Sequence, residues 1–395
     1  MKKFLFFAVI SLILMSCDPS IVASGRCGLQ GNNLSWTLDK DGVLTISGSG
    51  DMKDGFGGWW HHGTVKSVII RDGVTSIGNG TFKWHNSLES VVIGNSVRTI
   101  GTEAFADCSS LTSITIPNSV ITIGEHAFRD CHNLTSATIG NSVTTIGRGA
   151  FRRCRNLTSI IIPNSVTTIG DHAFENCRSL ASVTIGSGVT EIGDFAFWNC
   201  HSLTSVIIPD NVTSLGFGAF ENNTNLTSVI IGNGVTEIRG AFENCTNLTS
   251  VVIGNNVTAI DWGAFRNCVN LTSVNIPNSV ITIGENAFAI CQSLTTIVIP
   301  NSVTSIGRSA FISCINLTSV TIGSSVETIG HLAFWNCVSL TSITSYALTP
   351  PTLIGDIVFE RVDKATCVLR VPAESVELYR QAEGWSDFQT IIAIN

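Results

Sequence analysis

The sequence predicts a repeat solenoid of about 12 coils of 23 residues, with a parallel β-sheet on one face, extended legs and short helical turns. An N-terminal β-hairpin cap and a C-terminal α+β cap close its ends. Three observations carry this reading. Phe recurs at 82, 105, 128, 151, 174, 197, 220, 242, 265, 288, 311 and 334, every interval being 23 except the 22 between Phe220 and Phe242. Leu keeps the same phase from Leu88 to Leu340, and ten Cys from Cys108 to Cys337 form a further column. The composition has the skew that copying one unit produces, with 13 Cys, 36 Gly and 20 Phe beside 2 Tyr and 3 Met among 395 residues. Fixed periods of this size mark units that bury their apolar side only against their neighbours.

Composition also excludes whole classes. With 44% hydrophobic and 13% charged residues, the chain has too much apolar material for disorder. Its 29 acidic and 22 basic residues give a net charge of -7, so no general field gathers phosphates and nucleic acid is not expected as a partner.

Taken in order, Lys2 and Lys3 precede an apolar run from Phe4 to Met15, too short to span a bilayer but suited to a signal peptide. Leu14-Met15-Ser16-Cys17 resembles a bacterial lipobox. That resemblance implies removal of 1–16, a lipid on Cys17, export, and attachment to a membrane through the lipid anchor. Residues 17–64 read as a linker and hairpin, because Leu34, Trp36 and Leu38 alternate, Asp41-Gly42 supplies a turn, and Leu44 and Ile46 alternate again. Such a cap covers a solenoid end that otherwise exposes its core and a strand edge.

Residues 65–345 form the array. In one unit Leu157, Ile160 and Ile162 end in a period-2 alternation that predicts a short strand, stopped by Pro163-Asn164. Val166 and Ile169 mark an extended leg, and the spacing of Ala173, Phe174 and Cys177 fits one helical or 3₁₀ turn with its apolar side inward. Ile238-Arg239-Gly240-Ala241-Phe242 is one residue shorter than Ile192-Gly193-Asp194-Phe195-Ala196-Phe197, so that coil must turn more tightly. In the tail, 346–395, a strand is expected near Cys367 to Val371 and a helix near Glu374 to Glu383.

The pattern from Leu111 to Cys131, with strand leucines, Pro or Gly, Ile-Gly and Ala-Phe-x-x-Cys, resembles the BspA-like, Treponema-type leucine-rich repeat. The resemblance covers about residues 65 to 345. It implies a secreted or surface-displayed bacterial protein that binds other proteins, host matrix components included, without catalysis.

Candidate chemistry is sparse. A column supplies one sulfur per coil along a line, whereas zinc needs ligands converging on a point, and no Cys-x-x-Cys pair occurs. In-register side chains also point in parallel, which disfavours disulfides. A ladder of free thiols in the core is therefore expected, with Cys27 and Cys367 in opposite caps. His126, His172 and His331 read as solvated corner residues, and the glycines as corners needing unusual backbone angles. No nucleophile elbow, phosphate loop or paired-carboxylate motif is present, so no enzyme, cofactor or metal is expected.

Binding is sought in columns that vary. The outward strand column is apolar at Ile207, Ile230 and Val252, a strip for a protein partner, although neutral β-propensity would produce the same residues. Arg129, Arg148, Arg152, Arg153 and Arg155 cluster in two coils as a candidate cationic site, or as a solvated patch. Phe195, Trp198, Phe217, Trp262 and Trp335 are candidate aromatic contacts, or fillers of the gap beside the short coil. The expected function is a monomeric surface binding or adhesion protein for extracellular or host proteins. The alternatives are polysaccharide binding through the Trp residues and a purely structural spacer.

Overall fold

The computed structural model describes residues 20–55 and 59–394, so 1–16 and Cys17 lie outside the described residues. Its architecture is a parallel solenoid of about 15 turns. One face carries strands such as Ser67–Ile70, Ser90–Ile93 and Ser159–Ile162, which pair in register with their neighbours, Ser on Ser and Ile on Ile or Val. The second leg of each coil pairs too. Two-residue strands Thr99–Ile100, Thr122–Ile123 and Thr145–Ile146 align residue for residue into a narrow second sheet.

Between the sheets the phenylalanines stack. Phe105 and Phe128 lie 5.3 Å apart at 3°, and Phe151 and Phe174 lie 5.4 Å apart at 2°. The stack runs further than the sequence period. Trp59 packs on Phe82 at the start, Phe359 stacks on Phe334 at 5.4 Å, and Trp385 packs on Phe359. The count of twelve is thus corrected upward, because the turn carrying Trp59 adds one at the start and the C-terminal cap is itself two further coils. Their longer corners broke the 23-residue rhythm while the inward rings kept stacking. The tail strand is found at Val368–Val371, with a helix at Val376–Gln381 and a final strand, Thr390–Ala393, in parallel with it.

At the other end the hairpin is present, with Trp36 opposite Ile46 and Leu38 opposite Leu44. Its second strand, Val43–Gly48, pairs in parallel with Ser67–Ile70 and so joins the cap to the array. The segment expected as a linker contains an additional outer strand, Ile21–Gly28, antiparallel to Gly31–Asp39.

Two further expectations need correction. The turn around each Phe has 3₁₀-like i→i+3 bonds but is neither an α-helix nor a continuous 3₁₀ helix. N–H groups alternate between i→i+3 turns within the coil, as Ala106 to Glu103 at 3.1 Å, and bonds to the next coil, as Phe105 to Ala127 at 2.8 Å. Residues two before and two after the Phe are left-handed, as Glu103 (φ 54°) and Asp107 (φ 61°), and a helix cannot propagate through them. Nor are the Ile-Gly glycines there for their backbone angles. A Cβ on Gly193 would lie 2.5 Å from the Asp171 nitrogen, so it is stacking of coil on coil that excludes a side chain.

The short coil shows the converse. Having lost the residue at this place, it leaves room above, and there the next coil carries Asp261 instead of Gly. The second sheet is interrupted at the same point, between Ser214–Leu215 and Glu237–Ile238.

The first sheet is interrupted for a different reason, which is proline. Gly232 donates its N–H to the Ile208 carbonyl at 3.0 Å, but Pro117, Pro163, Pro209, Pro277 and Pro300 occupy this place in their coils and have no N–H. Each strand that precedes one of these prolines is unpaired with the coil before it, or, at Ser159–Ile162, paired at Ser136↔Ser159 alone. The coils open slightly there: Ile93 and Ile185 are 8% exposed against 1% for Ile116 and Ile208.

Candidate binding faces

The cysteine column is structural. All twelve described cysteines are free and buried, and each of the ten in the column donates its S–H to a Phe carbonyl of the preceding coil, as Cys177 to Phe151 at 3.2 Å. Burial pushes the thiols of Cys108, Cys200, Cys245, Cys291 and Cys337 up to about 12, which removes the thiolate that reactivity requires. Among the described residues no group of His, Cys, Asp and Glu is placed to hold a metal ion.

The strand geometry brings Ile207, Ile230 and Val252 together. Ile207 is paired with Ile230 and Ile230 with Val252, and the three are 62%, 44% and 54% exposed. Parallel register therefore sets three branched side chains about 5 Å apart on the outer face. Serines flank them in the same register, Ser205, Ser228 and Ser250.

The arginines are brought together as well, but with acids among them. Arg129 meets Glu103 at 3.2 Å, Asp107 at 3.0 Å and Asp130 at 3.3 Å. Arg152 meets Glu175 at 2.9 Å, and Arg153 lies 3.9 Å from Asp130. Burial pushes the Glu103 carboxyl up, yet the Lys83 ammonium at 2.6 Å and Arg129 outweigh it and hold the carboxyl below its usual range. Of these five arginines, Arg148 and Arg155 are exposed with no acidic partner among the described residues. The cluster is a compensated network rather than a cationic field.

The aromatic residues divide. Phe195, Phe217 and Trp262 form one run, with centroid separations of 5.4 and 5.5 Å, continued by His172 stacked on Phe195 at 5.4 Å. All are half-buried. The Phe195 ring lies over Gly218 and the Phe217 ring over Gly240, where a Cβ would approach to 2.5 and 2.8 Å, so the run covers bare backbone at the short coil. Trp198 is bonded to Glu221, and Trp335 carries the Arg361 guanidinium 4.9 Å from its ring centre. His172 lies 2.8 Å from Glu175 and is no solvated corner residue.

Sequence reasoning missed a groove at the edge of the first sheet, lined by Asn275, Asn278, Val298, Asn301, Thr321 and Tyr346 among others. Its one sequence signal is Asn275, a polar amide in a column that otherwise holds Val, Ile or Thr through the array.

Comparison with known proteins agrees with this geometry. A family model described as a BspA type leucine-rich repeat region matches in six copies, over residues 59–169, 144–268 and 239–366. The chain belongs to the BspA-type leucine-rich repeat family. A leucine-rich repeat protein from Bacteroides ovatus is similar over 92% of this chain and 98% of its own, at 25% identity and a TM-score of 0.65. A leucine-rich cell surface protein from Faecalibacterium prausnitzii is 31% identical over 79% of this chain and 93% of its own, with a TM-score of 0.47. A Treponema pallidum leucine-rich repeat protein is 26% identical over 60% and 88%, with a TM-score of 0.35. No curated protein matches. The BspA-type match ends at residue 366, so the final coil around Trp385 lies beyond it.

Proposed function

We infer that this chain is a non-catalytic binding protein of a bacterial surface, exported, held by a lipid on Cys17, and monomeric. Membership of the BspA-type family and likeness to a cell surface protein support the location. The single observation that carries the binding reading is the registered strip of Ile207, Ile230 and Val252. Three branched apolar chains side by side satisfy strand propensity but stand in water, and an extracellular protein with a complementary apolar ridge gains by covering them. The serines beside the strip supply hydroxyls for its rim. The test is capture of matrix and cell-surface proteins on the immobilised chain. The triple variant Ile207→Asp, Ile230→Asp, Val252→Asp should weaken the captured complex by about thirtyfold or more. Binding at wild-type affinity would remove this face from consideration.

A further inference from the structure

Pro277 and Pro300 stand in successive coils, and residues 273–276, which lead into Pro277, form no strand with either neighbouring coil. The N–H groups of Ser273, Val274, Asn275 and Ile276 donate to no backbone carbonyl, although Val274 is half-buried and Ile276 buried. The corner amides part at the same place. Asn301 accepts the Ser324 N–H at 2.9 Å, the bond repeated along the array, but the side chains of Asn278 and Asn275 have no hydrogen-bond partner among the described residues. Backbone and side-chain amides thus stand ready on one coil, the exposed ones toward solvent, and the N–H of buried Ile276 is of the kind that native proteins rarely leave unpaired.

Of these residues, Asn275, Ile276 and Asn278 line the groove of ≈ 490 Å³, a size that suits a small ligand. Its lining contains no charged side chain. Tyr346 occupies the corner place that is Gly254, Pro277, Pro300 and Gly323 in the four preceding coils, so an aromatic ring, 46% exposed, stands where those coils have no bulk. A primary amide offers a donor and an acceptor side by side, which matches neighbouring hydroxyls on a sugar ring. The Tyr ring offers an apolar face for the C–H side of that ring. A charged ligand would lose its hydration here without gaining a counter-charge.

We propose that this groove binds a neutral oligosaccharide, with Tyr346 as its stacking platform and Asn275 and Asn278 as its hydroxyl readers. The site continues the same outward column one coil beyond Val252, so its test leaves Val252 unchanged. The full chain is titrated with cellohexaose, maltohexaose, xylohexaose and mannohexaose by calorimetry and saturation-transfer NMR. At least one should bind, and Tyr346→Ala and Asn275→Ile should each weaken it about tenfold or more, with Tyr346→Phe retaining most of the affinity. The Ile207→Asp, Ile230→Asp variant, which leaves the coil beside Asn275 intact, should bind as the wild type does. Tyr346 is at the surface, so an unchanged thermal midpoint separates lost binding from lost fold. The proposal is overturned if none of the four sugars binds, if Tyr346→Ala binds equally well, or if only a sialylated oligosaccharide or an extended peptide binds.

Discussion

The side-chain amide of Asn223 donates to the Phe197 carbonyl at 3.0 Å, the bond that a thiol makes in every neighbouring coil, and to the Phe220 carbonyl at 2.7 Å. The residue is fully buried. The amide therefore does a cysteine's work with nitrogen in place of sulfur. Asn223→Ala removes the side-chain donor of the buried Phe197 carbonyl, while the Phe220 carbonyl keeps the Cys245 thiol, and should cost about 1–3 kcal/mol, whereas Asn223→Cys restores the common bond and should cost less than half as much. Urea unfolding of the two variants decides it, and equal stabilities would show that the bonds contribute little.

Ile290 sits at φ 62°, in a place where Asn267 has Asn244 as a bonded partner at 2.9 Å. A β-branched residue is strained in the left-handed region, which Asn tolerates. Ile290→Asn should raise stability by about 1 kcal/mol, read as a higher thermal midpoint. A lower midpoint would mean that the half-buried Ile side chain contributes more than its backbone loses.

Stacking of coils predicts opposite responses at two places of one column. Gly193→Ala drives a Cβ to 2.5 Å from the Asp171 nitrogen and 2.8 Å from the Gly170 carbonyl carbon, and should cost about 1–3 kcal/mol. Asp261→Ala, above the deletion, should be tolerated within about 0.5 kcal/mol. Matching losses at both positions would refute the account of the short coil.

Alkali should unfold the protein in proportion to its thiols. A folded thiol held at about 12 keeps its proton where an unfolded thiol, at 9.0, loses it. The stabilisation is thus complete below about pH 9 and declines as pH rises towards 12, by about 1.4 kcal/mol per pH unit for each thiol exposed on unfolding. Denaturant unfolding at pH 7.5, 9.5 and 10.5 gives the slope, and the slope counts the thiols in the unit that opens. A stability flat to pH 10.5 would contradict it.

Much of the fold is legible because each inward column is copied with its phase intact. Phe105, Leu111 and Cys108 announce their depth by recurrence alone, and the paired strand faces follow from alternation. The end coils were hidden because Phe359 and Trp385 stack at unequal intervals, which a period search cannot register. Strand Ile21–Gly28 was hidden because its residues do not alternate and only pairing with Gly31–Asp39 makes them a strand. Of the candidate sites, the Ile207 strip lies where the alternation put it, while the arginines needed coordinates to reveal the acids beside them.

The sequence by itself determined the repeat, the inward and outward columns, the free-thiol ladder and, through five prolines, where a sheet must lose a hydrogen bond. Only the tertiary structure decided which side chains meet between coils. Asp107 and Arg129 lie 22 residues apart and Asn275 and Tyr346 lie 71 apart, yet stacking sets one pair in contact and both members of the other along a single groove. A repeat fixes position along the coil, whereas charge compensation and groove shape depend on what the neighbouring coils place there.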